Sequence, residues 1–355
     1  MQKKLLTIAV ASALAAPVAA LADVSVYGSI DTGIRNQSKA FITPGGAGGA
    51  TGGKLSIDSQ LKKTNRWGLK ASDDLGGGLM ANFVLEGGYQ SDTGVGPLDW
   101  QRRALLGFSK GGNSVDLGRE YTLNFKTQGI YDPLSHDYGG SAGVQGDLTA
   151  GVRTSDSITA AFRFGTGGVA VQYAPGEVAG DGGALRFTAF NGDMAFGPVT
   201  LGAAASTKGA AAGSTADIKT TNFGGAYKMG AFTFRLGIGM EDVDGGNETT
   251  KLSGGVQYDF SPTLTGRVSY YDFAVDNAGG AEIATAKVAV VNVEYSLSKR
   301  TLVYAAFDRK SMTGATTFVP TAATTAFGAA AATSTLWSTT ADGATGIGVG
   351  IVHNF

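Results

Sequence analysis

Few side chains in this sequence could make or break a bond. The chain of 355 residues has no cysteine and only two histidines, His136 and His353. Without cysteine there is neither a disulfide framework nor thiol chemistry. No His/Asp/Glu cluster has metal-ligand spacing. The run Gly346-Ile347-Gly348-Val349-Gly350 alternates like a strand and opens no helix, so it does not read as a phosphate loop. What remains is fixed charge. Arg66, Glu86 and Arg153 fall on the polar side of alternating segments, as do Arg186, Arg235 and Arg267. Arg102 and Arg103 are adjacent, so alternation aims only one straight to the polar side; with Phe108 on the greasy side, that one is Arg103. Arg119 is in phase with Val115 and Leu117 and turns to the apolar side. Two more carboxylates, Asp132 and Asp137, flank His136 within Tyr131-Asp132-Pro133-Leu134-Ser135-His136-Asp137-Tyr138-Gly139-Gly140, in a gap of about thirty residues (123–151). Charges laid out this way act through their field.

The elements that must hold them have a period of two, the mark of a β-strand. In the last ten residues Ile347, Val349, Ile351, His353 and Phe355 share one face, and Gly346, Gly348, Gly350, Val352 and Asn354 the other. In 152–164 Ile158, Ala160, Phe162 and Phe164 oppose Arg153, Ser155, Ser157, Thr159 and Arg163. The same reading predicts sixteen strands: 24–35, 61–72, 79–90, 100–109, 114–122, 152–164, 169–175, 184–191, 198–207, 220–228, 231–240, 249–259, 263–273, 284–297, 301–310 and 345–355. A polar gap fills 36–60, an Ala/Thr-rich loop fills 311–344, and short and long connections take turns.

A sheet with one greasy face and one carrying Arg, Lys, Glu, Ser and Gly cannot be half of a sandwich, which needs a large apolar interior. It fits lipid outside and water inside. In lipid every backbone polar group must be paired, so the sheet must close. An even, antiparallel set of sixteen closes around an aqueous channel. The predicted fold is therefore all-β, a sixteen-stranded antiparallel transmembrane barrel.

Composition agrees. After Ala22 no window approaches eighteen consecutive apolar residues, so no helix is predicted to span a membrane. Residues 1–22 read as a cleaved signal peptide: Lys3 and Lys4, an apolar run from Leu5 to Val18, then Ala20-Leu21-Ala22. The mature chain is predicted to start at Asp23 as one domain, 23–355. Without Lys3 and Lys4 the 28 basic residues become 26 against 29 acidic, too balanced for a nucleic-acid partner.

Several short motifs carry a family resemblance. They are Asp23-Val24-Ser25-Val26-Tyr27-Gly28-Ser29-Ile30-Asp31, Asn65-Arg66-Trp67-Gly68-Leu69-Lys70, Asp73-Asp74-Leu75-Gly76-Gly77-Gly78-Leu79, Asp116-Leu117-Gly118-Arg119-Glu120, Leu297-Ser298-Lys299-Arg300-Thr301 and the terminal Phe355. In order and spacing the mature chain resembles Gram-negative general porins, in particular the trimeric porins of β-proteobacteria. His353 departs from the aromatic residue usual at its position.

The resemblance implies a multi-pass barrel of the outer membrane, a homotrimer in contact with outer-membrane lipid and lipopolysaccharide and inserted by the barrel assembly machinery. It implies a third external loop folded into the barrel, with Asp132 and Asp137 facing a basic wall of Arg66, Arg153 and Arg102 or Arg103, and Glu86 at an acidic wall position. It places Arg119 at the subunit interface and makes Phe355 the assembly signal. The implied function is passive diffusion of small hydrophilic solutes and ions, weakly favouring anions, with no cofactor and no enzymatic step. The alternatives are a porin specific for organic acids or phosphate, a non-conducting structural or adhesin barrel, and a barrel-wall enzyme. The last needs a Ser/His pair on the outer face, where His353 has no evident partner.

Overall fold

The computed structural model describes residues 24–41, 51–96, 99–138, 151–314 and 343–355. The predicted signal peptide, Gly139-Gly140 and most of the Ala/Thr-rich segment lie outside them. Seventeen strands form a single sheet: β1 (Ser25–Phe41), β2 (Thr51–Ser59), β3 (Arg66–Asp74), β4 (Met80–Gly88), β5 (Arg103–Lys110), β6 (Asn113–Tyr121), β7 (Arg153–Phe164), β8 (Gly167–Ala174), β9 (Phe187–Phe196), β10 (Val199–Lys208), β11 (Ile218–Met229), β12 (Phe232–Val243), β13 (Glu248–Asp259), β14 (Leu264–Asp276), β15 (Glu282–Ser296), β16 (Thr301–Gly314) and β17 (Thr345–Asn354). Each pairs antiparallel with its neighbours, and β17 pairs with β1 to close the sheet into a barrel.

β2 and β3 occupy one stave. β2 pairs with the upper half of β1, from Thr32↔Ser59 to Phe41↔Thr51, and β3 with the lower half, from Ser25↔Lys70 to Ser29↔Arg66. The barrel thus has sixteen staves, the second broken at residues 60–65. This corrects the predicted gap at 36–60 and strand at 61–72. Residues 36–41 extend β1, 51–59 form β2 paired with it, and the predicted strand start is the break. Arg186, predicted to lie inside a strand, is exposed on the connection before β9.

At one end the connections are two to five residues long. Gly111 and Gly112, with φ of 60° and 85°, make a two-residue hairpin turn that side-chain-bearing residues would strain. Outward aromatic residues gather at this end, among them Phe164, Phe196, Tyr227, Phe260, Tyr295 and Phe355, as expected of a girdle at a lipid–water boundary. The outer face between the ends is apolar, as the exposed Ile34, Leu106, Phe162, Leu236, Val268 and Val349 show.

The seam is fastened from inside. Arg35 on β1 pairs with Asp308 on β16 at 2.8 Å, both nearly buried. The pair crosses β17 over Gly346, where a Cβ would strike both side chains. Two repeats of the pattern away, the Tyr304 hydroxyl donates to Asp31 Oδ1 at 2.6 Å, crossing β17 over Gly350. The inward glycines of the last strand therefore hold room for bridges between the strands on either side of it.

Candidate functional site

Three strands that start at the long-loop end carry an arginine at or just before their first residue: Arg66 for β3, Arg102 and Arg103 for β5, Arg153 for β7. They gather around Tyr121, the last residue of β6. Arg102 Nη2 donates to the Tyr121 hydroxyl at 2.9 Å and its Nε to Glu86 Oε1 at 2.7 Å. Arg153 Nη2 donates to the same hydroxyl at 3.4 Å, and its guanidinium lies 4.7 Å from the Tyr121 ring centre. Among the described residues the buried Nε of Arg153 has no hydrogen-bond partner. Arg66 Nε donates to the Thr64 carbonyl at 3.2 Å. Among the described residues neither Arg66 nor Arg153 forms a salt bridge.

Both adjacent arginines reach lumen-facing carboxylates. Arg103 obeys strand alternation and binds Glu120, with Nε 3.0 Å from Oε1. Arg102 precedes β5, so alternation does not constrain it, and it turns to Glu86.

The loop between β6 and β7 begins with a helix, α1 (Leu123–Tyr131). Thr122 caps it, its hydroxyl accepting from the Phe125 amide at 3.3 Å. The helix lies on the lumen face of β8 to β12. Asn222 donates to the Asn124 carbonyl at 2.9 Å, and Asn191 to the Thr127 hydroxyl at 3.1 Å. Its track is cut in glycine. Ile130 sits against Gly202, the Tyr131 ring against Gly224 and Gly237, and Pro133 against Gly255, on four successive staves. A Cβ at any of these positions would meet the loop.

Past the helix the chain turns through left-handed backbone at Ser135, His136 and Tyr138, with φ of 56°, 62° and 58°. Asp132 fixes this turn. It accepts from the Tyr271 hydroxyl at 2.6 Å and from the His136 amide. His136 stacks on Phe125 at 4.0 Å, and Phe125 on Tyr121 at 5.1 Å, so an aromatic column joins loop to arginine wall. Burial pushes the His136 imidazole below its ordinary pKa, with the Asp132 carboxylate pulling the other way. Asp137 binds Lys62 Nζ in the broken stave. Lys62 also lies 2.9 Å from Glu294, which in turn binds Arg267.

The sequence reading names Arg66, Arg102, Arg103, Arg153, Glu86, Asp132 and Asp137. The structure gathers the arginines and Glu86 on one side of the lumen; the two aspartates lie on the loop, Asp137 against Lys62, four residues before Arg66. It brings in four groups that the sequence reading does not put at the neck: Tyr121, Lys62, Glu294 and Arg267. Alternation turns Arg267 inward but gives it no reason to be at the neck; its contact with Glu294 supplies one. Arg119 lies on the outer side, half-buried, donating to Ser155 Oγ at 2.7 Å and to the Gln101 carbonyl. Phe355 exchanges backbone hydrogen bonds of 3.1 Å with Gly28, and His353 Nδ1 lies 2.9 Å from Thr301 Oγ1 on the outer face. Among the described residues no group of three or more His, Cys, Asp or Glu could hold a metal ion.

A profile of Gram-negative porins matches residues 7–315. An outer membrane porin protein of Bordetella pertussis is 32% identical over 148 residues, covering 39% of this chain and 38% of its own. Outer membrane porin protein 32 of Delftia acidovorans is 31% identical over 136 residues, or 38% and 36% of the two chains. These two alignments thus span little more than a third of either relative. Major outer membrane protein P.IB of Neisseria meningitidis is 25% identical over 328 residues, 76% of this chain and 92% of its own. Among solved structures, the anion-selective porin from Comamonas acidovorans superposes with a TM-score of 0.73 at 22% identity, covering 94% of this chain and all of its own. OmpT of Vibrio cholerae in its trimer form superposes with a TM-score of 0.68 at 16% identity, covering 94% and 99%.

Proposed function

This chain belongs to the Gram-negative porin family, multi-pass β-barrels of the outer membrane, and from that premise we propose that it is a trimeric diffusion channel whose neck favours small anions. The observation that carries the proposal is the imbalance of free charge at the neck. On the wall, Arg66, Arg102 and Arg153 stand together with one carboxylate, Glu86, which is bound to Arg102. On the loop, Asp132 and Asp137 are already engaged, by Tyr271 and by Lys62. An anion entering the narrowed space meets donors on Arg66 and Arg153 that no carboxylate among the described residues pairs with, in a medium where charge is poorly screened. Lumen geometry then selects by charge and size, with no bound group and no chemical step.

Stepwise conductance in planar bilayers, with reversal potential measured across a potassium chloride gradient, tests this. The expected sign is anion preference, and Arg66→Glu or Arg153→Glu should shift it towards cations. A channel without steps would refute the diffusion reading. Reversal potentials untouched by either variant would remove these arginines from the selective neck.

The same trio also fits a narrower reading, a channel specific for organic acids or phosphate. Three guanidiniums around one tyrosine hydroxyl suit a multiply charged oxyanion. Block of chloride current by submillimolar phosphate or dicarboxylate would favour it over a general pore.

A further inference from the structure

The break in the second stave is where the loop is fastened, and its central residue is a lysine. Gln60 to Asn65 leave the sheet and turn into the lumen. Asp31 holds them there: its Oδ2 accepts from the amides of Lys62 at 2.7 Å and Lys63 at 2.6 Å, and its other oxygen accepts from Tyr304. Leu61 packs with Leu134 and Tyr138 of the loop. The Lys62 carbonyl accepts from the Tyr138 amide at 2.6 Å. Its ammonium, whose side chain is only 4% exposed, contacts both Asp137 and Glu294. Arg267 completes the group from β14.

We propose that Lys62 determines the channel's selectivity by masking two carboxylates. This deepens the anion-favouring reading above and rests on it. Two cations, Lys62 and Arg267, face two anions, Asp137 and Glu294, so this group of four is neutral while the arginine trio with Glu86 keeps a positive excess. Remove the Lys62 charge and one carboxylate is uncompensated, in the lumen and within reach of passing ions. A single substitution in the break of the stave that carries Arg66, four positions before it, would then oppose the field the trio creates. Lys62 touches no reacting atom and no permeant ion; it is a positioning and charge-setting residue. It also holds a loop that passes through three left-handed non-glycine residues, a conformation that persists only where surrounding contacts enforce it.

Reversal potential and unitary conductance of the reconstituted channel test this with four variants: Lys62→Gln, Lys62→Arg, Asp137→Asn and the double variant Lys62→Gln/Asp137→Asn. Lys62→Gln should lower the anion-to-cation permeability ratio several-fold. Lys62→Arg should leave it near wild type. The double variant should recover most of the loss, because the unmasked carboxylate is gone, and Asp137→Asn alone should raise the ratio. An unchanged ratio in Lys62→Gln overturns the proposal. So does a ratio that falls to unity with rising conductance in both the single and double variants, which would make Lys62 a tether only. A wild-type channel that already prefers cations would refute the anion reading of the trio, and the Lys62→Gln shift would still be measured separately.

Discussion

His136 has exchanged water for an aromatic face. Stacked on Phe125, with Nε2 3.0 Å from the Phe125 carbonyl, it is held in its neutral form by burial. Asp132 and Asp137 on its own loop favour the imidazolium, and Lys251 on β13 opposes it. A histidine whose folded pKa lies below the ordinary value near 6.5 adds full stability above that value. The contribution is lost as pH falls through the folded pKa. Acidification below about 6.5 should therefore loosen the turn, read as rising open-channel noise. His136→Phe keeps the stack without the titration and should flatten that response; equal noise in both proteins at low pH would remove His136 as its source. Alternation placed Arg66 and Arg153 from the sequence because both sit in regular strand. It set Lys62 in phase with Arg66 without showing that Lys62 lies in a break, and it could not place Arg102, which precedes its strand. Glu294 and Arg267 were readable as inward-facing, but their importance depends on where a loop more than a hundred residues earlier comes to rest.

The element that narrows the lumen depends on residues with no side chain. A methyl group at Gly237 would overlap the Tyr131 ring. Overpacking of this kind costs about 1–3 kcal/mol unless the neighbour moves. Here the neighbour is a helix with open lumen on its other side. Gly237→Val should push α1 inward and reduce unitary conductance, and adding Tyr131→Ala should restore it. An unaltered conductance in Gly237→Val would show that the helix does not set the bore. Strand positions were legible because lipid imposes one apolar face on each strand. The first hairpin was not: beyond Arg35, β1 carries Asn36 and Gln37 on opposite faces, and in β2 only Leu55 and Ile57 mark the apolar side opposite Lys54, Ser56 and Asp58. Nor was α1, because its residues meet wall on one side and the lumen on the other. The glycine track had a signal, inward glycines at matching heights on four neighbouring strands, but matching heights requires the register.

For the whole barrel, closure followed from the sequence on one physical argument, that lipid tolerates no unpaired edge. Assembly of barrels is a separate matter. Arg119 is a charge on the outer side, and at the membrane midplane an exposed arginine costs about 2–4 kcal/mol. Its contacts with Ser155 and the Gln101 carbonyl meet only part of its donors. We expect a neighbouring subunit to cover it. Arg119→Ala should lower the temperature at which trimers separate on a semi-native gel while leaving monomer conductance intact, and an unchanged separation temperature would place Arg119 outside the interface.

The bridges over β17 join residues 273 positions apart in sequence, Arg35 to Asp308 and Asp31 to Tyr304. Neither can exist until the whole sheet has been laid down and its two ends have met. We expect contacts that need the two ends of the sheet to have met to form after the rate-limiting step, and contacts absent from the transition state act on the rate of escape from the folded state. The glycines of the last strand are thus a kinetic lock. Gly346→Val, which evicts one bridge, should leave the rate of barrel formation in detergent near wild type and hasten heat-induced opening, so that the protein is lost sooner without having been harder to make.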